Sequence, residues 1–149
     1  MASIYSVTTE TEEALTTSVE TVLQLRGSTA CKAKIIEWGI SFDSTCATAE
    51  PVRVRLLRQT TDGTATGASE VKWDPASGTA NCTAFHTFTA EPTAGDVLAE
   101  YHCHPQSGIV IQYPLGREPT LDIAATSRIG IDVLAPAAVN CTAYMVFEE

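Results

Sequence analysis

The sequence predicts an all-β fold, a sandwich or barrel, and three observations predict it. Apolar residues recur with period two in several segments, as a half-buried strand requires. Gly, Pro, Asp and Ser punctuate the chain every ten to twenty residues, which suits short strands joined by turns rather than a βαβ fold. Thr is abundant, and its branched side chain favours a pleated surface.

The N-terminal stretch carries two periodicities. Leu15, Val19, Val22 and Leu23 have helical spacing, whereas Val19, Thr21, Leu23 and Leu25 have strand spacing. The β-branched content favours a strand over residues 18–26. Residues 1–14 are read as an arm or a first short strand, and residues 15–149 as the sandwich domain. In KAKIIEWGISF, strict alternation places Lys34, Ile36, Trp38, Ile40 and Phe42 on one face, with Asp43-Ser44-Thr45 as the following turn. PVRVRLLRQ is a further strand, in which Arg53 and Arg55 alternate with Val52, Val54 and Leu56. Asp62-Gly63 marks a turn, EVKW a short strand that Asp74-Pro75 breaks, and NCTAFHTFTA another strand. DVLAEYHCH and SGIVIQYPLG read as a hairpin joined through Pro105-Gln106-Ser107-Gly108. SRIGIDVLAP buries Ile129, Ile131 and Val133, and AVNCTAYMVFEE supplies the last strand. Trp38 and Trp73 are both read as core residues.

A chain of 149 residues is of single-domain size and buries roughly 68–70% of its unfolded surface. Hydrophobic residues make up 44% and charged residues 18% of it, a folded composition. The net charge of −9, without a Lys/Arg stripe interleaved with aromatics, argues against a nucleic-acid partner, because phosphate binding needs cationic neutralisation. No apolar run approaches the ~20 residues of a membrane helix. The polar, acidic MASIYSVTTETEE is not a signal peptide. The five cysteines, Cys31, Cys46, Cys82, Cys103 and Cys141, include no CxxC pair. They read as reduced, buried small hydrophobes of a protein made in a cytoplasm. The sequons at Asn81 and Asn140 are then coincidental.

Two features invite chemistry. Arg53 and Arg55 form the basic face of a strand, either solvated or a dock for an acidic neighbour. Glu100, His102 and His104 share one face of a second strand, a carboxylate and two imidazoles that suit Zn or Fe. A cupin uses such a His-x-His pair, with a Glu soon after it and a later His. Here Pro105-Gln106-Ser107-Gly108 follows, and no His lies beyond His104. The expectation is therefore no metal and no cofactor, with His102, His104 and Glu100 as the alternative ligand set. No GxSxG elbow, P-loop or GxGxxG occurs, so no catalytic residue is assigned and the chain is read as a non-enzyme.

The order of segments resembles a family of small capsid decoration (cement) proteins of tailed phages. The resemblance is carried by Leu23-Gln24-Leu25, Ile35-Ile36-Glu37-Trp38-Gly39-Ile40, Val54-Arg55-Leu56-Leu57-Arg58-Gln59, the PLGRE of Pro114–Glu118, the GIDV of Gly130–Val133, and the closing Phe147-Glu148-Glu149. It spans most of the chain, and the order of the pieces gives it weight. The five cysteines and His102-Cys103-His104 depart from the pattern. The resemblance implies a jelly-roll-like sandwich that assembles as a homotrimer on the outer surface of a virion capsid, bridges major-capsid subunits and stabilises the shell. Ile4, Tyr5, Arg53 and Arg55 are the expected capsid contacts, and the trimer seam is expected to be apolar and built from strand edges. A cupin-like jelly-roll metalloenzyme, or a phage tail or receptor-binding module, is the alternative.

Overall fold

The computed structural model describes residues 2–43 and 50–149. Cys46 and the Ser44-Thr45 part of the expected turn lie outside the described residues. Among the described residues there are thirteen strands and no helix: β1 (Ile4–Thr8), β2 (Glu13–Leu15), β3 (Val19–Arg26), β4 (Ala33–Asp43), β5 (Val52–Gln59), β6 (Thr64–Ala68), β7 (Val71–Lys72), β8 (Thr83–Ala90), β9 (Ala94–Cys103), β10 (Gly108–Gln112), β11 (Thr120–Leu121), β12 (Arg128–Leu134) and β13 (Val139–Glu148).

They form two antiparallel sheets packed face to face, a single β-sandwich as expected. One sheet runs β10-β4-β13-β1-β7, with β11 beside β4 and β2 beside β13; the other runs β6-β8-β3-β12-β5-β9. The chain changes sheet at most of its connections, the threading that a jelly-roll-like sandwich needs. The interior is filled by Leu23 and Leu25 of β3, Trp38, Ile40 and Phe42 of β4, Val52, Val54 and Leu56 of β5, Ile129, Ile131 and Val133 of β12, and Met145 and Phe147 of β13. Burying each such side chain contributes about 1.5–3 kcal/mol. Trp38 is fully buried, and its indole Nε1 donates to Tyr113 Oη at 3.1 Å, so its one polar atom is satisfied.

The alternation expected for β4 changes phase partway. Val146 of β13 pairs with Glu37, but the next residue, Phe147, pairs with Ile35. Ile36 is therefore the extra residue of a bulge, which flips the side-chain phase by one. Ala33 and Ile35 join Trp38, Ile40 and Phe42 in the core, and Lys34 faces solvent.

The expected hairpin between β9 and β10 is not formed. β9 pairs with β5 in one sheet, and β10 pairs with β4 in the other. Ser107 N donates to His104 O at 3.0 Å in the connecting turn, and Phe42 N donates to Ser107 O at 2.9 Å, which docks the chain on β4. Both strands still bury one face, Ala99 and Tyr101 from β9 and Ile109 and Ile111 from β10. A period of two says which face is buried and is silent on which sheet a strand joins.

Trp73 is a further correction: it is 62% exposed. β7 is only two residues long, and the following turn, where Ser77 N donates to Asp74 O at 3.0 Å, carries the indole away from the core. At the N-terminus, β1 lies between β13 and β7, and its Tyr5 and Val7 are buried. The boundary expected between residues 14 and 15 falls inside β2. The strand expected over 18–26 is β3.

Candidate functional site

The sandwich has two flanks, each made of one edge from each sheet. On the first, β9 closes one sheet and β10 the other. Trp38 of β4 meets Tyr101 of β9 across the core, ring centroids 6.0 Å apart, so these two edges lie on the same side. On the second flank lie β6 and β7, where Glu70 accepts a hydrogen bond from Ala84 N of β8 at 2.8 Å. Edge strands present unpaired backbone donors and acceptors and are templates for association.

Both flanks carry exposed apolar side chains: Val97 and Leu98 on β9 and Val110 on β10 for the first, Val71 and Trp73 for the second. Val97 and Leu98 are adjacent in sequence and both exposed because β9 is bulged. Ala99 pairs with Leu56 and Val97 with Leu57, leaving Leu98 as the extra residue. Trp73 N donates to Ile4 O at 3.0 Å, so Ile4 sits beside the exposed indole. Ile4 and Trp73 line a surface groove of ≈ 560 Å³ with Ala2, Ser3 and the 74–78 turn.

The four expected contact residues have separate fates. Ile4 is half-buried at the rim of this groove. Tyr5 belongs to the core: it is 2% exposed, stacks on Phe147 at 5.4 Å and donates through its hydroxyl to Gly78 O at 3.2 Å. Arg55 forms a bidentate pair with the buried Asp132, Nε to Oδ1 at 2.8 Å and Nη2 to Oδ2 at 2.5 Å. Hydrogen bonding to Asp132 pushes the guanidinium pKa further up, and Glu100, its partner on β9, adds to this. Arg53 lies opposite His102. Its Nε is buried without a hydrogen-bond partner. Arg53 and His102 line a cleft of ≈ 450 Å³ with Thr17, Leu134 and Pro136. The basic face thus resolves into one arginine neutralised within its own sheet and one turned to a cleft.

Glu100, His102 and His104 do not come together as ligands. β9 ends at Cys103, and His104 enters the turn, where its Nδ1 accepts a hydrogen bond from Gln106 N at 3.2 Å. The strand alternation that would align His104 with His102 stops one residue too early. Among the described residues, the His, Cys, Asp and Glu side chains whose ligand atoms do converge are Cys31, Cys82 and Glu149. The remaining histidine, His86, is buried, with Nδ1 3.1 Å from Glu13 Oε1, and ties β8 to β2 across the two sheets.

The sequence reading also missed a groove of ≈ 370 Å³ beside the β10 edge, lined by Thr8, Ile40, Gly108, Val110 and Tyr144 among others. Tyr144 donates to Glu37 Oε1 at 2.5 Å, and Gln112 donates to the same carboxylate. These bonds hold the Glu37 carboxyl below its usual range. Loss of solvation and the neighbouring carboxylate push the Tyr144 phenol up to about 12. Gly39 makes room for the ring: a Cβ there would lie 2.5 Å from Tyr144 Cε1.

Comparison of the chain with protein-family models, curated proteins and solved structures finds no match. Among the described residues no helix is long and apolar enough to cross a membrane. The fold and its surface define a β-sandwich module with two open, apolar-bearing flanks.

Proposed function

We propose that the chain is a structural capsid decoration protein that binds the outside of a tailed-phage head and stabilises the shell. The observation that carries this reading is the pair of open flanks, each bearing exposed apolar side chains. Two flanks suit two partners. The β9/β10 flank, with Val97, Leu98 and Val110, is assigned to a homotrimer seam. The β7 flank, with Trp73 and Ile4, is assigned to the major capsid protein, and Arg53, beside the β9 edge, is assigned to an acidic neighbouring subunit.

The mechanism is thermodynamic linkage. A protein that binds the assembled shell and not its separated subunits stabilises the shell by its binding free energy. Trimeric attachment turns modest single contacts into a durable clamp, because the second and third contacts form at high effective concentration. No step of this mechanism calls for a catalytic residue, nucleic acid, membrane or cofactor.

The test is co-sedimentation of purified protein with assembled phage heads and, separately, with tails, alongside sedimentation-equilibrium mass measurement. The expected result is saturable binding to heads by a species of three chains. Absence from heads overturns the reading, and binding to tails alone replaces it with a tail module.

A further inference from the structure

Cys31 lies in the connection that leaves β3 in the six-stranded sheet and enters β4 in the seven-stranded one. Cys82 immediately precedes β8 of the six-stranded sheet, and Glu149 immediately follows β13 of the seven-stranded sheet. These three distant points of the chain meet at one end of the sandwich, with their ligand atoms all within 4.8 Å of one another. Cys82 is buried, and Cys31 and Glu149 are half-buried.

The Glu149 carboxylate is held in place from behind. Its Oε1 accepts from Asn81 N at 2.6 Å and Asn81 Nδ2 at 3.2 Å, and its Oε2 accepts from Cys82 N at 3.0 Å. The Cys31 thiol donates to Oε2 at 3.6 Å. Among the described residues, no Lys, Arg or His forms an ion pair with Glu149. This partly buried carboxylate, beside two thiols and fixed by neutral donors, has no protein counter-charge among the described residues. Ligand atoms around a tetrahedral zinc ion, with Zn–S near 2.3 Å and Zn–O near 2.1 Å, are separated by about 3.5–3.8 Å. The Cys31 Sγ to Glu149 Oε2 distance already has this length, and the whole set is within about 1 Å of it.

We propose that Cys31, Cys82 and Glu149 bind Zn²⁺ and that the ion clasps the two sheets together. The two thiols lose their protons to solvent on binding, and the S–H···O bond of Cys31 is replaced by a shared metal. Two thiolates and a carboxylate are three ligands, and the half-exposed side of Cys31 leaves the fourth position to water. Burial and the Glu149 carboxylate push both thiols up from their ordinary range. Zinc binding releases the two thiol protons, so affinity rises with pH. This inference is independent of the capsid reading.

The test is titration of reduced, metal-stripped protein with Co²⁺ and then Zn²⁺. The expected result is a thiolate-to-cobalt absorption band that saturates at one metal per chain and is abolished when Zn²⁺ displaces the cobalt, together with a higher melting temperature in Zn²⁺. Cys31→Ser and Glu149→Gln each weaken binding by at least about 10-fold, whereas Cys103→Ser and His102→Ala leave it unchanged. Cys31 is half-buried, so its variant remains informative even if Cys82→Ser does not fold. A titration without a saturable band, or an affinity unchanged in Cys31→Ser, overturns the proposal. Recovery of Cys31 and Cys82 joined as a disulfide under reducing purification also overturns it, and assigns the pair to thiol oxidation.

Discussion

Arg55 reaches across from β5 to clasp Asp132 of β12 in a two-point ion pair, with Oδ1 at 2.8 Å and Oδ2 at 2.5 Å. The Asp132 side chain is 4% exposed and that of Arg55 18%. The same outer face of the sheet carries buried Gln24 and Gln59, joined at 2.7 Å, with Gln59 donating in turn to Thr21 Oγ1 at 3.0 Å. Arg55, Asp132, Gln24, Gln59 and Thr21 therefore satisfy one another on this face.

Removing Arg55 leaves a buried carboxylate without its cation. Arg55→Met is expected to destabilise the fold by about 3 kcal/mol, at the lower end for broken buried pairs because Arg55 keeps some solvent contact. Arg55→Met combined with Asp132→Leu is expected to recover most of that loss. Urea unfolding of the two single variants and the double variant measures the coupling. Strict additivity of the two single losses would show that the pair does not act as a unit.

Acid stability is expected to depend on Asp62. Its hydrogen bond from Arg128 holds the carboxyl below its ordinary value of 3.8, and the nearby Arg26 acts in the same direction. A lowered folded pKa means that the contribution is fully present above 3.8 and is lost as pH falls through the folded value. Asp62→Asn is expected to lower the melting temperature at neutral pH and to flatten the loss of stability below the ordinary carboxylate range. Melting temperatures of both proteins across an acid pH series measure this, and parallel curves would refute it.

Gly39→Ala is expected to displace the Tyr144 ring, because the new Cβ would also meet Ile109 O at 3.0 Å. The variant breaks the Tyr144–Glu37 bond and costs about 1–3 kcal/mol, as overpacking does. Spectrophotometric titration of tyrosine reads the effect directly. The phenol now pushed up to about 12 should ionise at lower pH in the variant, and an unchanged titration would contradict the geometry.

Assembly and shell binding are expected to separate by flank. Val97→Lys with Leu98→Lys places two charges on the β9 edge and is expected to convert the proposed trimer to monomer without unfolding it, since both positions are exposed. Trp73→Ala is expected to keep the trimer and to lose head binding by roughly 10-fold or more, the cost of truncating an aromatic anchor of at least ~1.4 kcal/mol. Sedimentation of each variant alone and with phage heads distinguishes the two. Head binding that is indifferent to Trp73 would move the shell contact elsewhere.

Much of the fold was legible in the chain. The alternation in SRIGIDVLAP places Ile129, Ile131 and Val133 in the core, where they lie. Asp62-Gly63 forms a turn because Gly63 takes φ 66°, and a Cβ there would meet Ala90 O at 2.4 Å. Arg53 and Arg55 share a face as read, but the sequence could not show that Asp132, far along the chain, neutralises one of them.

The sequence by itself determined that this protein is an all-β domain of sandwich or barrel type, because burial on a pleated strand imposes a period of two that composition and turn residues make readable. Only the tertiary structure decided which strands share a sheet, where the bulges at Ile36 and Leu98 shift the phase, and that Trp73 is exposed while Tyr5 is not. It also decided that, among the described residues, the converging ligand atoms belong to Cys31, Cys82 and Glu149 rather than to the closely spaced His102 and His104. The physical reason is the same in each case. Local pattern records how a residue meets the core, whereas pairing between strands and the meeting of distant side chains depend on long-range contacts that a local window does not contain.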